Sequence, residues 1–179
     1  MVEVSAAINT LVGRFGVLPS HLANDEQFTT FVVQASLAAF KTHQAIKLGA
    51  LRNALVNSYN RTEREAEVGL QYLRYIDELS PTHLKLLSTI DLNVGPYAAF
   101  TTLEELHVAL PTDAGTNIER STLRVFLQDL EARFLVRLGD LEELPEYASK
   151  KSMSLREESA VRPIEVTPLG SSFLLFIRP

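Results

Sequence analysis

Cysteine is absent from this chain of 179 residues, and so are several other features that would point to a particular location or chemistry. Without a thiol there is no disulfide, no thiolate nucleophile and no thiolate metal site, which fits a reducing compartment. No apolar run approaches the roughly 18 residues that a membrane helix needs. The opening MVEVSAAINTLVGRFG lacks a basic segment followed by an apolar core, which argues against a secretory signal. We therefore expect a cytoplasmic protein with no membrane partner.

Motifs for catalysis and for cofactor or metal binding are missing as well. The chain has no glycine-rich phosphate loop and no Gly-x-Ser-x-Gly nucleophile elbow. Its histidines His21, His43, His83 and His107 are scattered, and none belongs to a His-Glu-x-x-His pair. We therefore predict no catalytic residue, no metal site and no cofactor, and expect a protein that is not an enzyme.

The first predicted region, residues 1–79, is dominated by two helices. Asn24 is the expected N-cap of a long proline-free helix over about 25–57, with Gly49 as the place for a bend. Thr62 and Glu65 form a capping box for a second helix over about 62–79. The long helix carries two apolar stripes at helical spacing, of which the first is Phe28, Phe31, Ala35, Ala38, Thr42 and Ile46 and the second is Val33, Leu37, Phe40, Leu48, Leu51 and Leu55.

The short connection between these helices favours an antiparallel hairpin. Two apolar stripes require cover on two sides, one inside the hairpin and the other from the rest of the chain or from a second copy. We expect a homodimer, because long helices with two apolar stripes commonly build dimers. The alternative is a monomer in which both stripes are buried within one chain.

The remaining residues, 80–179, read as short helices followed by two short strands and a last helix. Ser80-Pro81 opens one helix, and the capping boxes Thr102–Glu105 and Thr116–Glu119 open two more. FLVRLGD and RPIEV alternate like strands, and Thr167 caps a final helix whose Phe173 and Ile177 we expect to be buried. Two strands alone do not form a stable sheet, so we expect them to pack on the helices as the wing of a winged helix.

A resemblance supports this interpretation. The segments LSPTHLKLL, TTLEEL, STLRVFLQDLEARFLVR and IEVTPLGSSFL resemble the successive signatures of bacterial winged-helix regulators of the MarR-like type. The preceding FVVQASLAAFKTHQAIKLGALRNALVNS, together with YIDELSPTHLKLL, is similar to an uncharacterised bacterial family with a helical region before a winged-helix-like end. The resemblance implies a mainly α fold, with an N-terminal helical hairpin and a C-terminal winged-helix module that carries a small β-hairpin wing. It implies no activity, and the wing loop is long and acidic for the regulator pattern.

A winged helix would present the helix after TTLEELHVAL to the major groove of DNA. The candidate base-reading residues on that helix are Arg120, Ser121, Arg124 and Gln128, and Lys150 and Lys151 in the wing loop are candidates for phosphate contacts. The charge opposes this reading, since residues 80–179 hold 10 basic and 14 acidic side chains, a net of −4. The leading hypothesis is a non-enzymatic regulatory protein that binds double-stranded DNA as a dimer. The alternative is a winged helix that docks another protein without nucleic acid.

Overall fold

The computed structural model describes residues 2–16, 18–59, 62–93, 100–110, 118–139 and 163–179. This part of the chain is mainly helical with one two-stranded antiparallel sheet, as the sequence predicts at this level. Its helices are α1 (Val2–Phe15), α2 (Pro19–Asn24), α3 (Glu26–Phe40), α4 (Ala45–Ser58), α5 (Glu63–Glu78), α6 (Pro81–Leu92), α7 (Leu103–Ala109), α8 (Arg120–Ala132) and α9 (Pro168–Ile177), and its strands are β1 (Val136–Arg137) and β2 (Glu165–Val166). None of these helices has both the length and the apolar character needed to cross a membrane.

The chain divides into two compact units. Unit 1 contains Met1–Leu84 and Ser172–Pro179, and unit 2 contains Lys85–Ser171. The domain boundary expected between residues 79 and 80 stays a prediction.

The single helix predicted over 25–57 is wrong, because α3 ends at Phe40 and α4 begins at Ala45. Near the end of α3, the Thr42 N–H donates to the Ala39 carbonyl at 3.4 Å, which tightens the last turn. The Thr42 hydroxyl then accepts a hydrogen bond from the Gln44 N–H at 3.2 Å. Such side-chain bonds to nearby backbone compete with helix formation, so the helix ends without proline or glycine.

The start of α3 also differs from the expectation by one residue. Asp25 is the N-cap, and its carboxylate accepts a hydrogen bond from the Phe28 N–H at 2.9 Å. Asn24, which the sequence pattern favours, is instead the last residue of α2. Asp and Asn are equally good caps, so the choice between neighbours depends on where α2 ends.

The break between α3 and α4 reverses which apolar stripe is buried. On α3 the first stripe is buried through Phe28, Phe31, Ala35 and Ala38. The second stripe leaves Val33, Leu37 and Phe40 exposed by 51%, 53% and 74%. On α4 the second stripe is the buried one, through Leu51 and Leu55. Two short helices can each turn a different stripe inward, and the α3 outer stripe (Val33, Leu37 and Phe40) therefore faces solvent.

Aromatic rings form the centre of unit 1. Tyr72 of α5 packs against Phe173 and Phe176 of α9, with ring centroids 5.5 Å and 5.3 Å apart. The ring of Phe31 in α3 also packs against Phe176, with centroids 6.4 Å apart. Gly69 makes room for these rings, because a Cβ there would lie only 2.6 Å from Phe31 Cζ. The predicted burial of Phe173 is confirmed, whereas Ile177 is half-buried.

Two asparagines of α4 bind the C-terminal end of α9. The Asn53 amide donates to the Ile177 carbonyl at 2.9 Å. One turn later, the Asn57 amide donates to the carbonyls of Phe176 and Arg178, each at 2.9 Å. The last carbonyls of a helix have no partner within the helix, so these amides supply what α9 itself lacks. The result fixes the end of α9 against α4.

The buried Lys47 side chain binds a backbone carbonyl in the last turn of α5, as the asparagines of α4 do for α9. Its Nζ donates to the backbone carbonyl of Asp77 at 2.7 Å, while Lys41 Nζ meets the Asp77 carboxylate at 2.5 Å. Burial lowers the pKa of Lys47 below its usual 10.5, an effect that the Asp77 charge opposes and the Lys41 charge reinforces. The unfolded chain therefore binds this proton more tightly than the folded protein does. The free energy of unfolding consequently rises with pH between the lowered pKa and 10.5.

We predict that Lys47→Met abolishes this pH-dependent gain. In the unsubstituted protein, the free energy of unfolding should rise with pH between the lowered pKa of Lys47 and its ordinary value of 10.5, since the folded state then no longer holds a buried charge. Urea unfolding of both proteins across this range measures the difference in slope. Lys41→Met is the control: its side chain is 64% exposed, and most of the increment should remain. An unchanged slope in Lys47→Met would contradict the prediction.

Unit 2 places a small sheet against helices. β1 and β2 are antiparallel, with Val136 opposite Val166 and Arg137 opposite Glu165. The Ile164 N–H, just before β2, donates to the Phe100 carbonyl at 2.8 Å. This bond joins the residue before β2 to the residues that precede α7. The described buried side chains are Leu86, Leu87, Ile90, Phe100, Leu106, Leu123, Leu127, Leu130, Leu135, Val136 and Ile164.

Capping boxes begin two of the helices as the sequence predicts. Both reciprocal bonds are present between Thr62 and Glu65 at α5 and between Thr102 and Glu105 at α7. The N–H of Thr101 is the main group that lowers the pKa of Glu105, so this cap contributes stability that is lost as the pH falls through that pKa. The third predicted box pairs Thr116 with Glu119, and Thr116 lies outside the described residues. Glu119 is the N-cap of α8.

The junction between α8, the sheet and α9 is closed by Thr167. Its hydroxyl donates to the Phe134 carbonyl at 2.5 Å and accepts from the Gly170 N–H at 3.1 Å, which confirms the predicted cap of α9. Its N–H donates to the Leu135 carbonyl at 3.1 Å. A Cβ on Gly170 would overlap the same Leu135 carbonyl and would lie 2.7 Å from Val166 Cγ1. Gly170 is therefore required for this close approach of backbone to backbone.

We predict that Gly170→Ala destabilises the fold by about 1–3 kcal/mol or more, since the carbonyl that it meets cannot move without shifting the strand. Gly49→Ala is the matched control. It lies within α4 with no atom within 4 Å of an added Cβ, and alanine there should stabilise by about 0.5–1 kcal/mol. Chemical unfolding of both variants measures the two effects. Equal effects of the two substitutions would show that the Leu135 contact is not a constraint.

Candidate functional site

The outer face of α8 is the surface on which the sequence places base-reading residues. The helix is anchored to unit 2 through its buried side chains Leu123, Leu127 and Leu130. Of the candidates, Arg120, Ser121 and Gln128 are exposed, and Arg124 is half-buried. Lys150 and Lys151 lie outside the described residues. The structure thus brings three of the six candidates to one exposed helix surface.

Carboxylates lie beside the polar groups of this face. Arg120 forms an ion pair with Glu104 of α7, and the Ser121 hydroxyl donates to Glu119 at 3.3 Å. Arg133, just after the helix, donates to Asp129 at 3.2 Å. The described residues of unit 2 carry five basic and seven acidic side chains. Exposed ion pairs contribute only about 0–1 kcal/mol, so a phosphate could displace Glu104, but it would then meet a surface of net negative charge.

The middle of the outer face carries no charge. Ser121, Val125, Gln128 and Ala132 follow one another at spacings of four, three and four, which places them along one line of the helix. All four are exposed, and Val125 is exposed by 60%. This uncharged line between charged flanks has the anatomy of a small protein–protein contact, with an apolar centre and a polar rim. Sequence reasoning that looked for cations missed Val125, although its helical spacing to Ser121 and Gln128 was visible.

Phe134 is a second exposed apolar group near the end of α8. It has φ 59°, the left-handed region that glycine normally occupies after a helix. The Leu135 N–H reaches the Leu130 carbonyl at 3.0 Å and the Phe134 N–H reaches the Glu131 carbonyl at 2.8 Å, the paired bonds of a Schellman motif. The ring is 74% exposed, so packing does not offset the strain. No sequence signal marks this position, because an aromatic residue is unexpected there.

Among the described residues, neither the histidines nor the groove in unit 1 forms a site comparable to the outer face of α8. His107 Nε2 lies 2.9 Å from the Ile118 carbonyl, and His83 Nδ1 accepts from the Ser80 N–H at 3.1 Å. Among the described residues, no three His, Asp or Glu side chains are grouped closely enough to hold a metal ion. A groove of about 520 Å³ in unit 1 is lined by Asn57, Glu65, Val68, Tyr72, Ser172, Leu175 and Phe176. Its Asn57 and Glu65 already bind α9 carbonyls and the Thr62 cap, which leaves few polar groups for a ligand.

Comparison with protein-family models, with curated proteins and with solved structures found no match. The resemblance to winged-helix regulators therefore stays a prediction, and the case for a function rests on the residues of this chain.

We predict that Phe134→Gly stabilises the fold by about 1 kcal/mol. An L-residue in the left-handed conformation costs roughly 1–2 kcal/mol, and glycine avoids that cost while little buried surface is lost. Phe134→Ala is the control, because it removes the ring but keeps the Cβ that causes the strain. Thermal and urea unfolding of the two variants distinguish the effect of losing the ring on stability from the effect of relieving the backbone conformation. A gain in Phe134→Ala equal to that in Phe134→Gly would rule out backbone strain as the reason.

Proposed function

We propose that the protein is a non-enzymatic regulatory protein whose second unit is a winged-helix module that docks another protein through the outer face of α8. The chain order α6, α7, α8, β1, β2, α9 supports the module, as does the antiparallel pairing of β1 with β2. The hydrogen bond from the Ile164 N–H to the Phe100 carbonyl joins the residue before β2 to the residues that precede α7. A three-helix core with a small sheet laid on it is the arrangement that the resemblance implies.

One observation carries the choice of a protein partner over DNA. The most exposed cation at the start of α8, Arg120, is bound to Glu104, and the line that follows it is centred on Val125 rather than on cations. DNA affinity comes largely from phosphate neutralisation, which this surface supplies poorly. Protein contacts instead use an apolar centre with charges at the rim, where Arg120 and Arg124 would lie.

DNA is the second candidate, and the exposure of Arg120, Ser121 and Gln128 on one helix surface favours it. Arginine and glutamine are the side chains that pair with guanine and adenine in the major groove. Under this alternative, Arg120 leaves Glu104 on binding, and residues of the wing loop hold phosphates.

We further propose that the protein acts in the cytoplasm as a homodimer. The exposed α3 outer stripe supports the dimer, since three large apolar side chains on one helix surface favour burial against a partner. The absence of cysteine supports a reducing compartment.

The first test is binding to mixed double-stranded DNA fragments at low salt, where electrostatic binding is strongest. We expect no binding by the unsubstituted protein or by Glu104→Gln, which releases Arg120 from its ion pair. Fluorescence anisotropy with labelled fragments measures both. Binding that strengthens in Glu104→Gln and falls steeply with salt would overturn the protein-docking proposal in favour of DNA.

The positive test identifies the protein partner by photo-cross-linking from position 121 in cells. The captured protein should disappear in Val125→Glu, because a carboxylate at the apolar centre must be desolvated on docking. It should persist in Val2→Glu, which makes the same change at an exposed valine of α1 in the other unit. Direct binding of the purified pair must then show the same dependence on Val125.

A further inference from the structure

We draw no further inference here: the strongest candidate, the α3 outer stripe of Val33, Leu37 and Phe40, is an exposed apolar surface patch of unit 1, and nothing in the described part of the chain shows what covers it.

Discussion

The hydroxyl of Thr167 is the group on which the architecture of unit 2 depends. It accepts from the first turn of α9 and donates to the carbonyl of Phe134 at the end of α8, so one side chain joins the end of one helix to the start of another. The junction closes only because Gly170 has no Cβ, which lets α9 begin against the Leu135 carbonyl. The pairing of Val136 with Val166 starts one residue from this point on each strand. A two-residue strand pair has little stability of its own, so its register depends on a junction fixed by hydrogen bonds.

Unit 1 is organised by polar groups at helix ends rather than by the helices' apolar stripes alone. Asp25 begins α3, Thr42 helps to end it, and Lys47 binds a carbonyl in the last turn of α5. The asparagines of α4 do the same for α9. Each of these bonds satisfies a group that a helix leaves without a partner, and together they set where each helix stops. Because α3 stops at Phe40, it can turn a different stripe inward from the one that α4 buries.

The functional proposals rest on two surfaces, the α3 outer stripe and the outer face of α8. The α3 outer stripe is exposed because α3 ends at Phe40 and turns its other stripe inward. The middle of the outer face of α8 is uncharged because Ser121, Val125, Gln128 and Ala132 lie there, and Arg120 at its start is bound to Glu104 of α7. An arginine in a favourable sequence position is therefore not equivalent to an arginine that is available to phosphate. This is the reason why we propose a module that docks proteins and not a nucleic-acid reader.

The sequence by itself determined the features whose physics is local. The mainly helical character, the capping boxes at Thr62 and Thr102, and the cap at Thr167 each depend on residues within about four positions of one another, where a hydrogen bond between neighbours decides the outcome. Only the tertiary structure decided the break after α3, the exposed stripe, the left-handed Phe134 and the Arg120–Glu104 pair. Both stripes of the predicted long helix had the same helical spacing, so periodicity could not choose between them. Which side of a helix is covered depends on partners distant in sequence, such as α9 against α3 and α5, and that contact exists only once the chain has folded.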